Sequence, residues 1–287
     1  MNKITKRLSI VILTLITLSF LFDSCMQFRI SDHRFQKKFK KLAHKPKIGK
    51  YTAEGRSIRY IEVGEEDKPM ILFVHGAPGS SKDYIKYLQD TDLVANARLI
   101  AVDRPGYGYS GFGKAMTSIE KQAACIAPIL DLNKNSKPVL LVGHSYGGPV
   151  VARLAMDYPD KANGPMLMLA PGFDPDNERL FWFNKPFNWW GLRWLLPRSM
   201  RTANYEKISH SAELQLMKPL WDTLQNRTTF IHGYPDWIVP IENSQFGVKM
   251  MANAEVDSLF DKDMNHLMIW NRYELVKAQL LKMLADM

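Results

Sequence analysis

The sequence predicts an α/β fold: an open, mostly parallel central sheet with helices on both faces. Three observations carry that expectation. Short, continuous apolar runs recur at residues 70–74, 99–102, 139–142, 165–170 and 228–231, and unbroken runs of this length suit strands buried on both faces. Segments of helical character at 83–89, 117–132, 149–158 and 273–285 fall between or after them, and strand–helix alternation is the mark of parallel crossover units. Glycine-rich turns follow several runs directly, and in such sheets ligands bind beyond the carboxyl ends of the strands.

The 287 residues suffice for one large domain with a full core. The formal net charge of +9 is concentrated at one end. The first fifty residues hold twelve Lys/Arg against Asp23 and Asp32, and the remainder carries a net −1. That distribution argues against a nucleic-acid-binding domain, whereas a basic tail beside an apolar segment suits anionic lipid. In residues 1–25, Lys3, Lys6 and Arg7 precede the apolar run 8–22. The run is shorter than the roughly 20 residues a spanning helix needs and long enough for a signal-peptide core. It closes on Asp23-Ser24-Cys25 and resembles a bacterial lipoprotein signal, which implies lipid attachment at Cys25 and a membrane-associated protein of the cell envelope. The alternative is an uncleaved anchor with the folded domain on the cytoplasmic side, because the heavier positive charge follows the run.

Residues 26–50 read as a basic tether. Phe35, Phe39 and Leu42 recur at helical spacing, so part of it is expected to form an amphipathic helix on the membrane surface. Cys25 and Cys125 are the only cysteines. Cys125 falls in a helical pattern and reads as a buried structural thiol. No paired Cys/His spacing suggests a metal site, and no cofactor is expected.

The folded domain is expected over 51–287. Residues 56–62 alternate polar and apolar, as an exposed edge strand does. The run 70–74 leads into His75-Gly76-Ala77-Pro78-Gly79-Ser80, a small-residue loop whose backbone N–H groups can approach an anion. The run 99–102 leads into Asp103-Arg104-Pro105-Gly106, read as a rigid turn in which the two charges hold loops in place. The run 139–142 leads into Gly143-His144-Ser145-Tyr146-Gly147. A serine at the apex of a sharp strand-to-helix turn, with glycine two residues to either side, is a nucleophile elbow. The N–H groups of Ala77 and Tyr146 are the candidate oxyanion-hole donors. After 228–231 comes His232-Gly233-Tyr234-Pro235-Asp236, and after a last strand at 254–260 comes Asn265-His266. Ser145, Asp236 and His266 thus follow in the order nucleophile, acid, base. Serine needs a base to take its proton, and the base needs an acid to orient it.

The motifs HGAPGS (75–80), DRPGYGYS (103–110), GHSYGG (143–148), HGYPDWIVP (232–240) and NH (265–266) resemble those of the α/β-hydrolase superfamily, in its lid-bearing serine-hydrolase branch. The resemblance covers roughly 51–287. It implies Ser145 as nucleophile, Asp236 as acid and His266 as base, and a helical lid at about 172–226. That interval contains seven aromatics within residues 181–194, expected chiefly to pack the lid onto the core. Trp182 and Trp189, with Trp237 and His75, are the candidates for lining an apolar pocket. The expected partner is a small, partly apolar molecule, and the expected reaction is cleavage of an ester-like bond. Serine at 145 argues against branches that attack through a carboxylate. Lyase or perhydrolase chemistry on the same residues, or a ligand-binding protein with a vestigial triad, are the alternatives. Bond type and oligomeric state are not encoded in these motifs.

Overall fold

The computed structural model describes residues 3–287. Met1 and Asn2, which open the expected signal or anchor segment, lie outside the described residues, as do the side chains of Ile4, Leu8, Val11, Ile12 and Leu15. The strands are β1 (Lys47–Ala53), β2 (Arg56–Val63), β3 (Met70–Val74), β4 (Arg98–Val102), β5 (Val139–His144), β6 (Met166–Leu169), β7 (Thr228–Gly233) and β8 (Val256–Asp261). They form one sheet in the order β1-β2-β4-β3-β5-β6-β7-β8. β1 and β2 pair antiparallel, β2 pairs antiparallel with β4, and every later pairing is parallel. The helices are α1 (Lys3–Cys25), α2 (Asp32–Lys38), α3 (Ile85–Gln89), α4 (Thr91–Asn96), α5 (Ile119–Ile126), α6 (Gly147–Asp157), α7 (Arg198–Met217), α8 (Glu242–Met250), α9 (Met268–Asn271) and α10 (Tyr273–Ala285).

Alternation along β3 explains the layers. Met70, Leu72 and Val74 enter one core with α5, α6 and α7, while Ile71 and Phe73 enter the other with α3, α4 and α10. Successive side chains of a strand point to opposite faces, so a strand covered on both faces must be apolar throughout. All residues of β3, β4 and β5 are buried.

Two expectations about the N-terminal region are corrected. The strand at 56–62 is not the sheet edge: β1 lies outside it, and β2 is largely buried. β1 also begins inside the interval read as a tether. Phe35 and Phe39 do not face outward. Both are fully buried, stack on each other with centroids 5.3 Å apart, and belong to the core cluster beneath β3 and β4. Their helical spacing was the correct signal, but the apolar face it marks packs against the sheet. Cys125 is buried as expected, and Cys25 is exposed at the end of α1. Among the described residues, no helix is long and apolar enough to cross a membrane.

The segment between β6 and β7 carries two short 3-10 turns and then α7. Its aromatics do not pack onto the core as a group: Trp182 is 85% exposed and Trp190 is 72% exposed.

Candidate active site

The site lies at the carboxyl end of the parallel strands. Ser145 follows β5 with φ at +53°, a left-handed conformation that L-residues with a side chain adopt only when the surroundings enforce it. The close approach of chains enforces it here. A Cβ on Gly147 would sit 2.2 Å from the Val74 carbonyl oxygen, and one on Gly143 would sit 2.7 Å from the Cα of Gly148. The elbow therefore needs glycine at both positions. The Ser145 N–H is spent on the Leu169 carbonyl at 2.9 Å, which ties the turn to β6.

The structure brings Asp236 and His266 into direct contact. Asp236 follows β7, His266 follows β8, and His266 Nδ1 donates to Asp236 Oδ2 at 2.7 Å. The other carboxylate oxygen accepts the N–H groups of Ile238 and Val239, each at 2.9 Å. A second histidine, His232, also reaches Oδ2, at 3.2 Å from Nε2, while its Nδ1 accepts from the Ser244 hydroxyl at 2.7 Å. Burial works to raise the Asp236 pKa. The hydrogen bonds from His232, His266 and Val239 overcome it and hold the carboxyl well below its usual range.

His144, beside the serine, donates from Nε2 to the His266 carbonyl at 3.0 Å, and the two rings lie 4.9 Å apart. Burial, with the neighbouring His266, pushes its pKa down to about 3, so it is a neutral ring packed against His266. Among the described residues, the Ser145 hydroxyl makes no hydrogen bond.

Ser145, Tyr146 and Ala77 share one cavity of about 260 Å³ with Phe181, Phe183 and Trp237. A larger groove of about 690 Å³ lies at the opposite end of the strands, beside Pro138, Pro165 and Arg227, and holds none of these residues. Among the described residues, neither the Ala77 nor the Tyr146 N–H is tied to a backbone acceptor.

Three sequence candidates move. His75 is fully buried away from the cavity. Its Nε2 accepts the Arg104 N–H at 2.9 Å and its Nδ1 donates to the Gly76 carbonyl at 2.7 Å. Burial and the Arg104 charge drive its pKa well below the ordinary histidine value, so it is a neutral structural ring. Trp182 and Trp189 are exposed and do not line the cavity, whereas Trp237 does. The wall that sequence reasoning missed comes from α7, which contributes Met200, Ala203, Asn204, Lys207 and His210.

Arg104 joins the loops, as the sequence suggested for this turn. It is fully buried and donates to the His75 carbonyl at 2.8 Å, the Gly76 carbonyl at 2.9 Å, Gln122 Oε1 at 2.6 Å and Glu206 Oε1 of α7 at 2.8 Å. Because a trans peptide is planar, holding the Gly76 carbonyl from behind turns the Ala77 N–H the opposite way. Asp103 has the same role one layer down, accepting the Ser81 N–H at 2.8 Å and the Tyr109 N–H at 2.9 Å.

An open α/β sheet with a serine elbow and an acid–histidine pair at its carboxyl edge is the architecture of α/β hydrolases. Residues 69–193 match the family model for the alpha/beta hydrolase fold. A segment of 121 residues is 33% identical to the dihydrolipoyllysine-residue acetyltransferase component of the acetoin cleaving system of Cupriavidus necator, over 42% of this chain and 31% of that one. Another of 108 residues is 32% identical to epoxide hydrolase 4 of Mus musculus, over 37% of this chain and 29% of that one. The chain thus matches about a third of the length of these curated relatives. Among solved structures, a thermophilic esterase from Thermogutta terrifontis superposes with a TM-score of 0.65 at 17% identity, covering 84% of this chain and 98% of that one. The chain has the α/β-hydrolase fold.

Proposed function

We propose that this protein is a serine hydrolase that cleaves an ester of a small, partly apolar molecule. The observation that carries the reading is the 2.7 Å Asp236–His266 contact beside an elbow serine that walls an apolar cavity. In this reading His266 accepts the Ser145 proton as the hydroxyl attacks the carbonyl carbon, and Asp236 fixes the Nδ1–H tautomer and stabilises the imidazolium. The Ala77 and Tyr146 N–H groups receive the oxyanion, an effect of roughly 3–4 kcal/mol per donor in related sites. His266 returns the serine proton to the departing alcohol, leaving the acyl group on Ser145, and water activated by His266 then releases the acid and restores the serine. The serine–histidine hydrogen bond forms in the substrate complex, as is common where the free enzyme lacks it. The insertion between β6 and β7 acts as the lid, with Phe181 and Phe183 against the acyl group.

The N-terminal segment supports a second, separate proposal. α1 presents Leu13, Leu18, Phe20, Leu21 and Phe22 outward beside a basic flank, and its partner is a lipid surface. Cys25, exposed, is the candidate for lipid attachment.

Fluorophosphonate labelling of the full chain with peptide mapping tests the enzymatic proposal. The expected result is one adduct on Ser145, absent in Ser145→Ala and lost in His266→Ala. A folded protein that takes no adduct, or hydrolyses nitrophenyl esters equally well as Ser145→Ala, overturns it.

A further inference from the structure

The cavity is largely apolar; Asn184 and Asn204 on its wall bond each other, and Glu178, Lys207 and His210 meet at one corner. Glu178 Oε1 lies 2.5 Å from Lys207 Nζ as an ion-pair contact, and Glu178 Oε2 faces His210 Nδ1 at 3.3 Å. His210 is 4% exposed, and its Nε2 is a buried polar atom with no hydrogen-bond partner among the described residues. Native structures rarely leave such an atom unpaired, because an unmade hydrogen bond in a buried setting forfeits the desolvation of the group. Here it borders a ligand cavity. The His210 ring stacks on Tyr146 at 4.6 Å, and a Cβ on Gly172 would sit 3.0 Å from its Cε1. Tyr146 is the residue after the elbow serine, and Gly172 N approaches the Ser145 carbonyl oxygen at 3.4 Å. The unpaired nitrogen therefore stands close to where the acyl group must lie.

The chemistry of the corner narrows what fits. Glu178 and Lys207 neutralise each other, so the corner offers no free charge to a carboxylate or an ammonium group. With the Nδ1 proton facing Glu178, neutral His210 presents an acceptor at Nε2, and protonated His210 presents a donor. A hydroxyl satisfies either form. An ether or ketone satisfies only the protonated ring, and an amide N–H only the neutral one. We propose that His210 forms a specificity subsite and that the preferred substrates are esters whose acyl chain carries a hydroxyl near the carbonyl. The proposal rests on the serine-hydrolase reading for the reaction, but not for the binding of the hydroxylated chain.

The test compares kcat/KM for p-nitrophenyl butanoate with its 2-hydroxy and 3-hydroxy counterparts. The wild-type protein is expected to favour one hydroxy ester by about tenfold or more, since a site built to bond a hydroxyl discriminates against the analogue lacking it. In His210→Phe, which keeps a ring against Tyr146, the preference should invert. In His210→Gln, which restores a donor and an acceptor, it should return in part. Calorimetry with 3-hydroxyoctanoate and octanoate gives an activity-independent readout of the same ratio. Equal kcat/KM for all three esters, or the same ratio in His210→Phe as in wild type, overturns the subsite while leaving the serine-hydrolase reading intact. Absence of any ester turnover counts against that reading, and the calorimetric ratio then decides the subsite alone.

Discussion

Replacing Glu206 by glutamine probes how α7 is joined to the catalytic loops. Glu206 and Arg104 are both fully buried, with Oε1 and Nη1 2.8 Å apart. The carboxylate also accepts from Gln122 Nε2 at 2.9 Å and the Tyr107 hydroxyl at 2.5 Å. Glutamine keeps the shape but removes the charge, and it turns an amide NH2 toward donors that need an acceptor. Breaking a buried pair by neutralising one partner costs about 3–5 kcal/mol, because the other charge stays buried and uncompensated. For a chain of this size that is a fall of about 6–20 °C in Tm, measurable by thermal or urea unfolding. Activity should fall separately. Arg104 holds the Gly76 carbonyl at 2.9 Å, and through that peptide it aims the Ala77 N–H. Losing the alignment of one oxyanion donor lowers kcat by up to about 10²–10³-fold. The paired variant Arg104→Met with Glu206→Leu separates the two effects: apolar partners recover stability, but they do not hold Gly76. A stability change below about 1 kcal/mol for Glu206→Gln, against the 3–5 expected, would refute the energetic argument. Recovery of kcat in the paired variant would refute the positioning argument.

Two further outcomes follow from the same geometry. Phe35→Ala should destabilise the protein by about 3–5 kcal/mol, the range for a buried aromatic, as read by urea unfolding; a shift under about 1 kcal/mol would return residues 26–46 to the role of a loose tether. Asp236→Asn should lower kcat by about 10⁴-fold through the wrong His266 tautomer. It should also change the pH dependence of stability. A carboxyl whose folded pKa lies below the ordinary value of 3.8 stabilises the fold above that pH, and the contribution fades as pH falls through the folded pKa. The stability gap between wild type and Asp236→Asn is therefore expected to be constant near neutrality and to shrink from about pH 4 downward; a gap that widens on acidification would contradict the sign.

Much of the site was legible because the fold concentrates chemistry at strand ends. β3, β5 and β7 are buried on both faces and so read as apolar runs, and Val74, His144 and Gly233 mark where each stops. Ser145 was visible because steric exclusion demands glycine at 143 and 147. Asp236 and His266 carried no local signal of that kind and became legible only through their order. His232 and His144, which brace Asp236 and His266, carry no such signal in the sequence, since a hydrogen bond across 4 residues in one case and 122 in the other is a property of the folded chain.

The insertion shows where pattern reading fails and why. The aromatic stretch 181–194 suggested a packed lid, yet Trp182, Trp189 and Trp190 are exposed, while α7, which was not recognised, builds the cavity wall. The buried residues of α7 include Ser199, Thr202, Asn204, Glu206 and His210, and only Leu214 and Met217 are apolar. A helix that docks through ion pairs and amides has no apolar stripe for periodicity to find. Much of its buried polar surface is compensated: Glu206 by Arg104, Asn204 by Asn184 at 2.7 Å, and the Ser209 hydroxyl by the Tyr205 and Glu206 carbonyls. Among the described residues, two buried side-chain atoms of α7 lack a partner, Thr202 Oγ1 and His210 Nε2, and of these two residues only His210 lines the cavity. His210 lies one turn beyond Glu206, which Arg104 links to the Gly76 carbonyl. One turn of α7 thus joins the insertion to Arg104 at residue 206 and presents an unpaired nitrogen to the cavity at residue 210.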